Sequence, residues 1–303
     1  MATVVEQLPP GARVLIVRLR SLGDCVLTTP ALFLLKQHRP DLEIGVVVED
    51  RFSQLFAGNR DVSAILPPSK RAVLGFRPAL ALNYHGGSRS AALTGLSLAG
   101  HRAGFGHFRQ QWVYNIHIPR AQQILGEERT VHTAEHLASA VFYLGVPMTD
   151  IPRARLFCAP SAKRPPYAVL HPMASASGKT WPSGRFLEVA RHLRESGLPP
   201  VVIGGPGDDL SVFQEFERLE GAPLEAVKSL ISGAELFVGN DSGPAHMAAA
   251  FGVPVVVLYG TSDPIIWAPW KTRSQVLASP LGLEAVPVEQ AIAAVERLRG
   301  VTQ

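Results

Sequence analysis

Short apolar runs recur along the chain, separated by stretches with helical spacing of apolar residues. Arg13–Leu19 (RVLIVRL) reads as a buried parallel strand, and Gly23–His38 as a helix interrupted or restarted at Pro30. Leu42–Val48, Val62–Leu66 and Ala79–Asn83 read as further strands, with a short helical piece at Arg51–Ala57 and helices at Ser88–Leu98 and Thr130–Leu144. Ile151–Pro166 has little periodicity and collects four prolines and four basic residues. Alternation then resumes with Tyr167–His171 (strand), Ser183–Glu195 (helix) and Pro200–Gly204 (strand). Helical pieces are expected near Asp208–Leu219 and Pro223–Ser232, and Pro287–Arg299 closes the chain as a helix. Between them, apolar Leu236–Val238 and Val255–Leu258 flank GNDSGPAHMAAAFGVP, residues 239–254, whose Ala-rich centre is helix-prone.

This alternation predicts an α/β fold with two open, parallel, helix-wrapped sheets. The expected limits are 1–150 for the first domain, 151–166 for a linker and 167–286 for the second, with a last helix over 287–303. Open α/β sheets bind ligands beyond the carboxyl ends of their strands, so a cleft between the halves is the expected site. Residues 242–262 carry no Asp, Glu, Lys or Arg, but Gly243-Pro244 and Gly252-Val253-Pro254 break the run. A membrane span needs ~20 continuous helical residues, so helix followed by strand is the better reading.

Composition narrows this little: of 303 residues 47% are hydrophobic and 18% charged, as in ordinary soluble α/β proteins. Met1–Gly11 has no apolar core of a signal peptide. Cys25 and Cys158 form no CxxC pattern, and a reduced, cytoplasmic protein is expected. Charge is more informative. Residues 1–150 hold 15 basic and 11 acidic residues, whereas 151–303 hold 14 of each, so the net charge of +4 belongs to the first half. Residues 62–126 contain Lys70, Arg71, Arg77, Arg89, Arg102, Arg109 and Arg120 and no acid. Either an anionic partner meets this half or the cations are scattered over several faces.

Three strand-to-helix loops carry candidate chemistry. In RSLGDC, residues 20–25, Asp24 is either a general base at a strand end or a helix cap. HPMASASGKTWP, residues 171–182, ends like a P-loop, but Met173 stands where GxxxxGK[ST] requires the first glycine. What remains is a hydroxyl-rich loop with Lys179, suited to oxygen anions. In the third loop, Asp241 and Ser242 either cap the following helix or leave its positive end open to an anion, with Gly243 allowing close approach. IGGPGDD, residues 203–209, lacks the GxGxxG fingerprint; Asp208 or Asp209 either meets a ribose or caps the next turn.

Taken together, VLIVRLRSLGDCVLTTPAL, HP…SGKTWP and GNDSGPAHMAAAFGVPVVVLYGTSDPIIWAPW resemble glycosyltransferase family 9, the bacterial heptosyltransferases, over almost the whole chain. The resemblance implies a GT-B fold: two Rossmann-like domains with parallel sheets facing across a central cleft, and the terminal helix returning toward the first domain. It implies inverting transfer of heptose from ADP-heptose to a lipopolysaccharide inner-core acceptor. The first domain would bind an anionic glycolipid acceptor, and the second the nucleotide sugar. Asp24 matches the catalytic base and Lys179 the lysine at the diphosphate. Asp241, Ser242, Gly243 and His246 match the donor-binding turn and helix, with Ser175 and Ser177 as phosphate donors and Asp209 at the ribose. Arg77, Arg89 and Arg102, from the acid-free window, are assigned to the acceptor. No metal and no cofactor beyond the donor substrate is expected. The expected location is cytoplasmic, with peripheral contact to the inner membrane surface. Between Gly207 and Glu235 the strand that the family places there is not visible, which leaves the nucleotide-base pocket undefined. A GT-B transferase or epimerase using another nucleotide sugar remains an alternative. Nucleic-acid binding is disfavoured, because residues 62–126 show no RNP, helix-turn-helix or zinc pattern.

Overall fold

In the computed structural model, which describes residues 2–159, 164–174 and 177–300, the apolar runs become strands of two parallel sheets. The chain divides into units Met1–Phe157 and Cys158–Gln303, the boundary falling within the proline-rich stretch. The first sheet holds β1 (Arg13–Val17), β2 (Glu43–Val47), β3 (Ala64–Leu66), β4 (Leu80–Asn83), β5 (His101–Phe105) and β6 (Ile116–Ile118). Its spatial order is β3-β2-β1-β4-β5-β6. The second holds β7 (Ala168–His171), β8 (Pro200–Gly204), β9 (Glu217–Glu220), β10 (Leu236–Asn240), β11 (Val255–Tyr259) and β12 (Ser274–Ala278). Its order is β12-β11-β10-β7-β8-β9, the same doubly wound arrangement counted from its own first strand. The central strands β4, β7, β10 and β11 are buried throughout, because helices cover both faces.

The chain departs from expectation mainly at the sheet edges. Asp208–Leu219, read as helical, is a short 3₁₀ turn at Ser211–Phe213 followed by β9. The strand not visible between Gly207 and Glu235 is therefore present; as an edge strand it exposes three of its four residues, so ERLE shows no apolar pattern. The terminal helix Val288–Arg299 buries Ala291, Ala294, Val295 and Leu298 in the second unit's core, beside Phe186 and Val189 of the Ser183–Glu195 helix.

The Leu22–His38 helix runs unbroken through Pro30. Proline has no N–H to give the carbonyl four residues back, which is that of Val26. The Thr29 hydroxyl fills the vacancy, donating to the Val26 oxygen at 2.8 Å. The same hydroxyl accepts the Arg155 N–H at 2.9 Å, and the Arg155 guanidinium lies 3.8 Å from the Phe33 ring centroid. Ile151, Ala154 and Leu156 are buried. The first part of the expected linker is thus packed onto the first unit's longest helix. Thr29→Val keeps the shape but strands two buried polar groups. It should lower unfolding stability by about 1–3 kcal/mol, read as a reduced denaturant midpoint at unchanged slope.

Candidate functional site

In a sheet of this order the chain leaves the two central strands toward opposite sides, so a crevice opens beyond their carboxyl ends. It lies between β1 and β4 in the first unit, and between β7 and β10 in the second. The chemistry-bearing loops leave those strands.

In the second unit, β10 ends at Asn240 and the helix Gly243–Phe251 begins three residues later, with Ser242 at its N-cap position. Neither candidate cap side chain serves the helix. The Ser242 hydroxyl lies 3.0 Å from His171 Nδ1, and Asp241 Oδ2 lies 3.2 Å from Lys179 Nζ. The N-cap Ser242 side chain makes no capping hydrogen bond, which leaves this helix end as a partial positive charge in the crevice. Asn240, fully buried, fastens the β7 loop to β10: its Oδ1 accepts the Trp181 N–H at 3.0 Å, and its Nδ2 donates to the Pro172 carbonyl at 2.7 Å. The Lys179 turn also meets the loop after β11 closely, where a Cβ on Gly260 would stand 2.0 Å from the Gly178 oxygen. Any residue but glycine at 260 would push Lys179's turn away. His246 is buried on the first turns of the helix, edge-on to Trp267 with centroids 6.4 Å apart.

In the first unit, a pocket of about 520 Å³ at the β1–β4 crevice is lined by Arg18, Arg20, Ser21, Asp24, Arg51, Phe52 and His85. Asp24 sits in the first turn of the Leu22–His38 helix. Its Oδ2 accepts from the Ser21 N–H at 3.3 Å and hydroxyl at 2.8 Å, and its Oδ1 pairs with Arg18 Nη1 at 3.2 Å. Asp24 therefore caps the helix and also lines the pocket. Arg18 is buried, and its Nε has no hydrogen-bond partner. His85 Nδ1 donates to the Arg20 carbonyl at 3.2 Å; burial, then Arg18, hold its pKa below the ordinary histidine range.

The structure brings Lys179, Asp241, Ser242, Gly243 and His246 together on the second sheet's crevice, and Asp24 onto the first's. Ser175 lies outside the described residues; Ser177 begins the short turn that ends in Lys179. Asp209 is exposed and accepts the Ser211 N–H at 2.9 Å, a local capping contact. The three arginines assigned to the acceptor do not converge. Arg77 is exposed at the end of the Lys70–Phe76 helix, before β4 begins, and so lies at the sheet's amino edge. Arg102 stands at the second position of β5, its guanidinium donating to the Val113 and Ala99 carbonyls at 2.8 Å each. Arg89 alone follows a strand's carboxyl end; it lies 3.8 Å from Glu49, as does Arg51 at 2.9 Å. Arg18, Arg20, Arg51, His85, His171 and Asn240 were missed. Each stands within a few residues of the carboxyl end of a strand, the positional signal that would have found them.

Residues 78–287 match the model of glycosyltransferase family 9 (heptosyltransferase), and the chain belongs to that family of glycosyltransferases. Among its relatives, lipopolysaccharide heptosyltransferase 3 of Escherichia coli K12 is 26% identical over 327 residues, covering 91% of this chain and 95% of the relative. A family 9 glycosyltransferase from Veillonella parvula superposes with a TM-score of 0.83 at 22% identity, covering 96% of this chain and 98% of that one. The E. coli heptosyltransferase WaaC, solved with ADP and with ADP-2-deoxy-2-fluoro heptose, superposes at 0.75 and 23% identity over 94% and 99%. The fold is accordingly GT-B.

Burial holds the His171 pKa down to about 4; burial, followed by His107 and Arg18, does the same for His136. The unfolded imidazole titrates near ~6.5. Between these values the unfolded chain binds protons that the native one refuses, so stability is full above ~6.5 and falls as pH drops toward 4. Urea unfolding at a series of pH values should show this decline, and His171→Asn should flatten part of its slope.

Proposed function

We propose that this chain is an inverting, metal-independent heptosyltransferase that moves heptose from ADP-heptose to an anionic lipopolysaccharide inner-core acceptor on the cytoplasmic membrane face. The observation that carries the donor half is that Asp241 and Ser242 leave the Gly243–Phe251 helix end uncapped beside Lys179. A diphosphate takes that position, displacing the Asp241 carboxylate from Lys179 and accepting from the helix end. The heptosyltransferases among its relatives, and the ADP-2-deoxy-2-fluoro heptose bound to WaaC, support ADP-heptose as donor.

In the transfer, Asp24 accepts the proton of the acceptor hydroxyl. The hydroxyl oxygen bonds to the anomeric carbon from the face opposite the breaking bond to ADP, which inverts the centre. The charge that grows on the departing ADP is met by Lys179 and the helix end. Arg18, Arg20 and Arg51 give the β1–β4 crevice the cationic lining that an anionic acceptor needs. Arg18 also fixes the direction of the Asp24 carboxylate.

Lys179→Ala should weaken ADP binding by roughly 10- to 100-fold, the worth of one charge-assisted contact at ~1.5–3 kcal/mol. Calorimetry giving unchanged ADP affinity would remove Lys179 from the diphosphate. Asp24→Asn should slow transfer at least ~10²-fold, because the amide takes no proton. ADP affinity should stay normal while stability drops, because Arg18 loses its carboxylate partner. A variant that is merely less stable, with normal turnover per folded molecule, would leave Asp24 as a cap. The anomeric configuration of the product, read by NMR with chelator present and absent, tests inversion and metal independence. A larger thermal shift with another nucleotide sugar than with ADP-heptose would overturn the donor.

A further inference from the structure

The flank of the first sheet that ends in β5 and β6 carries apolar side chains that the proposed chemistry does not use. Leu96 is 36% exposed, Leu98 76% and Trp112 86%. They stand on two segments tied into one knob. The Arg102 guanidinium bridges the Ala99 and Val113 carbonyls, at 2.8 Å to each. Asn115 Nδ2 donates to the Gly100 carbonyl at 2.7 Å, and Asn115 Oδ1 accepts the Arg102 N–H at 2.7 Å. Ser97, buried, donates to the Thr94 carbonyl at 2.6 Å and accepts the Ala99 N–H at 3.3 Å, which sets the turn. That turn holds Leu98 at φ +57°, in the left-handed region where a branched side chain is strained and glycine or asparagine is not. One residue thus combines backbone strain with apolar exposure.

We propose that Leu98 and Trp112 form the tip of a surface that docks this chain on an anionic lipid bilayer. The charge around the tip selects that occupant. The knob's own segments, residues 96–115, carry Arg102 and Arg109 and no acidic residue. Arg109 is exposed on the segment leading into Trp112. Cations beside a surface of acidic lipid are held there by its negative potential, and an indole settles at headgroup depth with its apolar face inward. The knob flanks the Ser88–Leu96 helix, whose first turn stands at the sheet's carboxyl edge about 13 Å from its last. Gln110 Nε2 reaches Ser88 Oγ at 3.0 Å at that end, and at the other a Cβ on Gly95 would stand 3.6 Å from Val113 Cγ1. Docking by the knob would therefore set the height of the Arg18 pocket above the lipid. The idea extends the glycolipid reading, but vesicle binding is measured without donor or acceptor, so the two fail separately.

The full chain should co-sediment with phosphatidylcholine vesicles containing phosphatidylglycerol, weakly with phosphatidylcholine alone, and less as salt is raised. Trp112→Ser and Leu98→Asn should each cut the bound-to-free ratio at least ~10-fold. Asparagine suits the left-handed turn, so Leu98→Asn should unfold at or above the wild-type temperature, and it serves as the reference if Trp112→Ser is unstable. The proposal is overturned if both variants bind like wild type, or if wild type ignores acidic vesicles. It is also overturned if wild type self-associates through this knob, with association lost in Trp112→Ser and no vesicle binding.

Discussion

Both halves of this protein depend on one topological constraint. A parallel sheet in this strand order must send the chain in opposite directions from its two central strands, which leaves their carboxyl ends uncovered. Each uncovered place has been fitted with a carboxylate–cation pair at the start of a helix: Asp24 with Arg18, and Asp241 with Lys179. The pairing solves the same problem twice. Positive charge held in a partly buried crevice needs a counter-ion close by. The two pairs differ in how firmly they are held. Asp24 is also bound by Ser21, whereas Lys179 rests on a short turn and is the more exposed partner of its pair.

The interior of each sheet was readable because its strands are buried on both faces and so are written as continuous apolar runs. VLIV of β1 and VVVL of β11 needed no context. Away from the centre the reading was uneven: edge strand β3 falls within the expected Val62–Leu66, whereas β5, β6 and β9 were not read. Strands β5 (HRAGF) and β6 (IHI) mix histidine, arginine and glycine with apolar residues, and β9 (ERLE) has only a partly buried leucine. Their pairing comes from a neighbour's backbone rather than from a sequence period. Pro30 misled the reading for another reason. A proline interrupts a helix only if the carbonyl it abandons finds no other donor, and Thr29 supplies one from the adjacent position.

The site was legible as motifs and less so as a constellation. Residue type and loop position brought out Asp24, Lys179, Asp241 and Ser242, and the family resemblance added His246. They did not reveal that Ser242 is turned to His171 instead of its own helix, which depends on the 3.0 Å meeting of two loops far apart in sequence. Charge counting found the basic window but not the arginines that line the first unit's pocket. Arg77 and Arg102 belong to the abundant basic window, yet lie toward the amino ends of β4 and β5. Arg18 looked like part of a strand and sits instead at its exit. What separates them is the end of the sheet on which each falls, and that requires the strand boundaries.

The hydroxyl that mends the helix at Pro30 also ties Arg155, at the end of the first unit, to the helix that starts with Asp24. Thr29 and Asp24 are five residues apart, about 7.5 Å along the axis. The helix between them is continuously hydrogen-bonded and sheathed in the core. A rod of this length, hydrogen-bonded throughout and packed in the core, fixes the spacing between the segment that leaves the first unit and the carboxylate that lines its pocket.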